Sequence, residues 1–137
     1  MIQKTKRSIK WVHEKKRKYA GIHLIVEFWG AKVIENSKEI EKILILATKK
    51  TRSTLLKVAV HKFKPQGISG VVLLAESHMA IHYWPEFHYL AIDIFTCGNK
   101  SVPERALQYF EQRFKPKKIE IKRIKRGYFK NGKNLVQ

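Results

Sequence analysis

Three side chains in the middle of this chain could together turn a serine into a carbonyl cofactor. Ser77 follows Glu76 in the stretch Glu76-Ser77-His78-Met79-Ala80-Ile81-His82-Tyr83-Trp84-Pro85-Glu86. His82 stands five residues beyond it, and Cys97, the only cysteine, stands twenty residues beyond it. A serine hydroxyl can attack the carbonyl carbon of the peptide bond before it and convert the amide to an ester. Removal of the serine α-proton then splits the ester by β-elimination. The dehydroalanine left behind tautomerises and hydrolyses, with loss of ammonia, to a pyruvoyl group on a new N-terminus. Histidine suits the proton removal because its pKa lies near neutrality. Taken singly, each residue has an ordinary reading: a strand-end serine, a polar strand histidine, a small buried cysteine. The chemistry rests on the combination.

The surrounding pattern supplies a scaffold. Residues 21–29 read as a strand. Asn36 and Glu39 resemble a capping box, and Ile40, Ile43, Leu44 and Ala47 follow at helical spacing, so residues 37–50 read as an amphipathic helix. Residues 53–64 alternate as a strand, and 65–70 form a turn-rich loop. Val71–Ala75, Met79–Trp84 and Tyr89–Thr96 read as three further strands, with Glu76 and Ser77 at a junction from which His82 could fold back toward the serine. Ser101 and Glu104 form a second capping box before a helix striped by Ala106, Leu107, Phe110 and Phe114, and residues 118–125 alternate as a last edge strand. Consecutive strands joined by short turns predict an α+β fold, a two-layer sandwich of a mainly antiparallel sheet with two helices on one face. The bare face of such a sheet asks for a partner, and dimerisation is the usual answer. Alternation along the strand puts Ala80, His82 and Trp84 on one face and Met79, Ile81 and Tyr83 on the other.

The charge is unevenly placed. The chain of 137 residues carries a formal +18; residues 1–20 account for +7, residues 113–137 for +9, and the stretch between them for only +2. Basic ends can attract nucleic acid or anionic lipid. No glycine-rich phosphate loop, zinc-finger spacing or RNP-type aromatic motif accompanies them, so they read first as solvated charge and only second as a nucleic-acid contact. One cysteine excludes a disulfide framework and a four-cysteine zinc site, and fits a reducing cytosol. No apolar run reaches the ~20 residues of a spanning helix, and the charged N-terminus lacks the apolar stretch of a signal peptide. A cytoplasmic protein with no membrane contact is expected. The organisation expected is a basic arm over 1–20, one domain over 21–128 and a basic tail over 129–137.

The ordered residues resemble the short prokaryotic-type S-adenosylmethionine decarboxylases, pyruvoyl enzymes made as proenzymes. The matching positions are Phe63, Gly67-Ile68-Ser69-Gly70, Glu76-Ser77-His78, Ile81-His82, Trp84-Pro85-Glu86 and Asp93-Ile94-Phe95-Thr96-Cys97-Gly98, with the opening His23-Leu24-Ile25-Val26-Glu27-Phe28 matching more weakly. The resemblance implies self-cleavage between Glu76 and Ser77 into a β chain, 1–76, and an α chain, 77–137, capped by a pyruvoyl group derived from Ser77. It implies that His82 takes the α-proton, that Ser69 supports the ester, and that Cys97 is the proton donor of decarboxylation. It further implies that Glu86 holds the ribose hydroxyls, that Phe63 stacks on adenine and that Trp84 lies nearby. No metal is implied. The substrate would be S-adenosylmethionine, decarboxylated for spermidine synthesis, in an (αβ)2 homodimer with its sites at the interface. Relatives acting on arginine or ornithine keep an alternative open, because a carboxylate such as Glu86 also suits a guanidinium. Tyr83, where the family usually has a small polar residue, and His88 depart from the pattern.

Overall fold

The apolar periodicities resolve into a single antiparallel sheet backed by two helices. The structure, a computed structural model, describes residues 12–14, 17–75, 77–97 and 102–130. In chain order the elements are β1 (Val12–Glu14), β2 (Arg17–Tyr19), β3 (Gly21–Trp29), α1 (Ser37–Lys50), β4 (Leu55–Lys62), β5 (Ile68–Leu74), β6 (Ser77–Trp84), β7 (Tyr89–Cys97), α2 (Pro103–Phe114), β8 (Lys118–Arg126) and β9 (Phe129–Lys130). The main sheet has the order β4-β5-β6-β7-β3-β8, with every neighbouring pair antiparallel. A second, small sheet joins β1, β2 and β9, so the described parts of the basic arm and tail pair with one another.

One face of the main sheet is closed by the helices. Leu24, Val26 and Phe28 of β3, Met79 and Ile81 of β6, and Leu90, Ile92 and Ile94 of β7 all point to that side and are buried. They meet Ile40, Ile43, Leu44 and Ala47 of α1 and Ala106, Leu107, Phe110 and Phe114 of α2. Each fully buried side chain of this size stabilises the fold by roughly 1.5–3 kcal/mol. Gly70 marks the closest approach: a Cβ there would come within 2.7 Å of Leu44 Cδ1, so α1 packs directly on backbone. Asn36 caps α1 as expected, its side chain accepting from the backbone N–H groups of Lys38 at 2.9 Å and Glu39 at 3.3 Å. Glu39 does not complete the box; its carboxylate accepts from Arg113 on α2 at 2.9 Å instead.

Two expectations are corrected. The second capping box does not form among the described residues: the residue before α2 is Val102, which has no side-chain cap, and Pro103 opens the helix. Ser101 lies outside the described residues, and Glu104 accepts from Arg123 of β8 at 2.7 Å. The strand expected over 71–75 begins at Ile68, and the strand expected from Met79 already begins at Ser77. No junction therefore separates Ser77 from His82. An unbroken ladder with β5, running from Leu74 opposite Ser77 to Ile68 opposite Tyr83, keeps β6 extended throughout.

Candidate active site

Strand register sorts the chemistry-bearing side chains into two groups, with His82 and Ser69 on the open face of the sheet and Ser77 sharing the parity of the helix-covered one. At one end of β6, Ser77 stands opposite Leu74 of β5. Its hydroxyl oxygen is enclosed and has no hydrogen-bond partner, the only such buried side-chain atom among the described residues. A buried hydroxyl without a partner costs free energy, so its persistence points to chemistry. In the β6–β7 ladder His78 faces Phe95, so Thr96 comes beside Ser77 and Cys97 lies next along β7. Glu76 lies outside the described residues. His78 and His23 both sit edge-on or tilted to the Phe95 ring, at centroid distances of 5.7 Å, and His23 Nε2 is 2.8 Å from Asp93 Oδ1.

The second group gathers around the other end of β6. Ser69 and His82 are cross-strand partners, and Ser69 Oγ and His82 Nδ1 share a hydrogen bond of 2.9 Å. His82 lies 6.2 Å from the Trp84 ring. Phe63, just past β4, is exposed and meets His61 edge-on at 4.5 Å, and His61 is the β4 partner of Ser69. Glu86 is exposed on the single 3-10 turn Pro85–Phe87 that follows Trp84. Phe63, Ser69, His82, Trp84 and Glu86 therefore belong to one neighbourhood, and Ser77 and Cys97 to another.

The separation is large on the scale of a side chain. Five steps at about 3.3 Å each place Ser77 and His82 roughly 16 Å apart along β6. An odd number of steps also turns the two side chains to opposite faces: Ser77 shares the parity of buried Met79, whereas His82 shares that of Ala80 and exposed Trp84. The expectation that His82 folds back onto Ser77 within one chain is overturned by this register.

Several neighbours carry no local signal in the sequence. Trp29, Tyr89 and Trp84 stack across β3, β7 and β6, with centroids 4.4 Å and 5.3 Å apart. The Tyr89 hydroxyl donates to the Glu27 carboxylate. Burial, and then that bond and the negative charge of Glu27, push the Tyr89 phenol up to about 12. His61, His23 and Asp93 were also missed. Strand parity alone would have placed all of them on the open face. Tyr83 faces the helices as expected: it is buried, and its hydroxyl donates to the Lys32 carbonyl at 2.9 Å. Burial raises its pKa above the usual phenol value.

Val71, Leu73, Trp84 and Trp29 leave this face exposed and largely apolar. No helix among the described residues is long and apolar enough to cross a membrane.

Comparison with known proteins identifies the family and the fold. The sequence profile of the S-adenosylmethionine decarboxylase family matches residues 22–127. The S-adenosylmethionine decarboxylase proenzyme of Methanococcus maripaludis is 44% identical over 117 residues, covering 84% of this chain and 96% of that protein. The proenzyme of the same name from Acetivibrio thermocellus is 45% identical over 111 residues, covering 80% of this chain and 90% of its own length. The crystal structure of the adenosylmethionine decarboxylase from Aquifex aeolicus superposes with a TM-score of 0.77 at 32% identity, covering 85% of this chain and 98% of that one.

Proposed function

The chain belongs to the S-adenosylmethionine decarboxylase family, and from that premise we propose that it cuts itself before Ser77 and decarboxylates S-adenosylmethionine in sites shared between two copies. The observation that carries this reading is the enclosed, partnerless Ser77 hydroxyl at the head of β6. The relatives described above bear the S-adenosylmethionine name, and the arginine or ornithine alternative has no counterpart among them.

Processing starts from that hydroxyl. It adds to the carbonyl carbon of the preceding peptide bond; the C–N bond breaks, a C–O bond replaces it, and the hydroxyl proton passes to the nitrogen. A base then takes the Ser77 α-proton, and the Cβ–O bond breaks to release the carboxylate of residue 76. His82 is the base we assign. Its bond to Ser69 can run either way, but only Nδ1–H donating to Ser69 Oγ leaves Nε2 bare to accept a proton. The role assigned to His82 therefore requires the tautomer in which Ser69 accepts. When formed, the pyruvoyl group supplies a carbonyl that draws electrons from the bond to the departing CO2. The Cys97 thiol is the group we assign to return a proton to the substrate. Glu86 presents a carboxylate to the ribose hydroxyls, and Phe63 and Trp84 present rings to the adenine.

Register supports a role for a second copy in this scheme. Ser77 and His82 stand roughly 16 Å apart in one chain, further than an imidazole can reach. A twofold axis lying across the strands and between two open faces would set the Ser77 end of one copy over the His82 end of the other. It would also cover Val71, Leu73, Trp29 and Trp84. The assembly this reading calls for is a homodimer of cleaved chains, (αβ)2. A soluble cytoplasmic setting suits it.

Intact mass under denaturing conditions tests the reading. Two fragments, 1–76 and 77–137, are expected, the second lighter by one ammonia than its serine form. CO2 release from S-adenosylmethionine should accompany them and should vanish in Ser77→Ala, which should remain one chain. Cleavage persisting in Ser77→Ala would overturn the scheme.

A further inference from the structure

On the rim of the sheet, beside the turn that carries Glu86, a recess of about 470 Å3 is lined by cations and, among the described residues, by no acid. Lys32, Lys115, Lys117, His88 and Phe87 line it over a floor of Gly30 and Ala31. Three segments meet there: the end of β3, the turn before β7, and the link from α2 to β8. Main-chain hydrogen bonds knit them together, from Ala31 N–H to the His88 carbonyl at 2.8 Å, from Lys32 N–H to the Phe114 carbonyl at 2.6 Å, and from Lys117 N–H to the Trp29 carbonyl at 2.8 Å. The recess is therefore built on fixed backbone.

Its lining is unusual in three ways. Gly30, His88 and Lys115 all adopt positive φ, at 67°, 49° and 45°. Glycine does so freely, whereas a side-chain-bearing residue there is strained, and such strain gathers at functional sites. Second, His88 Nδ1–H donates to the Ala31 carbonyl at 3.2 Å, which leaves Nε2 as the nitrogen free to meet a ligand. Third, Lys32, Lys115 and Lys117 form no ion pair among the described residues. Lysines near a helix C-terminus commonly answer its exposed carbonyls. Here the Glu111 and Phe114 carbonyls already accept from the backbone N–H groups of Lys115 and Lys32. The stem of Lys117 is seated over Gly30, where a Cβ would come within 2.9 Å of it. Beside these cations Phe87 is 68% exposed.

We propose that this recess binds a nucleoside triphosphate. The three ammonium groups and His88 Nε2 take the phosphates, and the base lies against Phe87. Lysine binds phosphate as a point charge, and three of them around one recess match an extended polyanion better than a single phosphate. A flat exposed ring suits any base through stacking. The volume falls in the range of roughly 300–1,000 Å3 usual for small-ligand sites. None of the five side chains belongs to the site around Ser77, so the proposal stands or falls apart from the reading of that site.

Titration calorimetry on the wild-type protein tests it, with ATP, inorganic triphosphate and adenosine as probes. ATP should bind once per chain, and more tightly than triphosphate. The double variant Lys32→Ala/Lys115→Gly should weaken ATP about a hundredfold, at about tenfold for each charge-assisted hydrogen bond removed. Lys115→Gly also relieves a left-handed backbone, so by itself it should raise Tm while lowering affinity, which separates impaired binding from impaired folding. Phe87→Ala should weaken ATP and leave triphosphate unchanged. ATP affinity unaltered in the double variant would assign the binding to the basic ends and overturn the proposal. Displacement of ATP by S-adenosylmethionine would overturn it too, as would triphosphate matching ATP in both the wild type and Phe87→Ala.

Discussion

Co-expression of Ser77→Ala and His82→Ala chains in equal amounts is a sharp test of a site shared between copies. Each variant should be inactive by itself. Ser77→Ala has no nucleophile, and His82→Ala has no base for the α-proton. Along β6 the two positions are five residues apart in an unbroken ladder, roughly 16 Å, on opposite faces. If both residues act within one chain, no mixed molecule can be active. If they act across the interface, random pairing makes about half the dimers mixed, and each mixed dimer holds one site with both residues intact. About a quarter of all sites should then be competent. Roughly half of the His82→Ala chains should also be cleaved, because half of them meet a partner with its histidine. Denaturing mass spectrometry of the purified mixture reads the cleaved fraction, and CO2 release from S-adenosylmethionine reads the sites. No cleavage of the His82→Ala chain in the mixture, with the wild type cleaving normally, would refute the reasoning from register.

Two smaller predictions follow from the hydrogen bonds. Tyr89 holds its proton up to about 12 in the folded chain, against 10.0 ordinarily. Across that window the folded state therefore binds more protons than the unfolded one, so stability should fall as pH rises from about 10 to about 12, and Tyr89→Phe should flatten that fall in denaturant titrations. Asn36→Ala should remove the cap of α1 at a cost of about 1 kcal/mol. Measured in the uncleaved Ser77→Ala background, this should appear as a drop in Tm of about 3–5 °C; an unchanged Tm would mean that the Asn36 bonds to Lys38 and Glu39 contribute nothing.

Much of the scaffold was legible from residue type and period. Ile40, Ile43, Leu44 and Ala47 face the sheet as their spacing required, and Asn36 caps the helix they line. Tyr83 turns from His82 into the core, as alternation demanded. What could not be read was continuity. By sequence Glu76-Ser77 reads as a junction from which His82 returns, because nothing local in six residues distinguishes an extended strand from a hairpin. Cross-strand partners on β5 decide that, and they lie elsewhere in the sequence. The same limit hid His61, which reaches Ser69 only through the β4–β5 ladder, and the Trp29–Tyr89–Trp84 stack, whose rings come from three strands. Of the cap expected from Ser101 and Glu104, Ser101 lies outside the described residues, and the Glu104 carboxylate meets Arg123 on β8, a partner no local pattern announces.

The order of strands has a consequence for the life history of the molecule. The cut proposed before Ser77 would assign β3, β4 and β5 to the first product and β6, β7 and β8 to the second. Read across the sheet, the owners alternate: two strands of the first, two of the second, then β3 of the first gripped between β7 and β8 of the second. The products are dovetailed. Neither can slide free without breaking ladders on both sides of β3, so dilution should leave them joined and only global unfolding should part them. Conversely, two separately made fragments would each present sheet edges awaiting strands from the other. On the proposed scheme the peptide bond ahead of Ser77 acts as an assembly tether, letting one chain interleave its own strands at intramolecular concentration before it is cut.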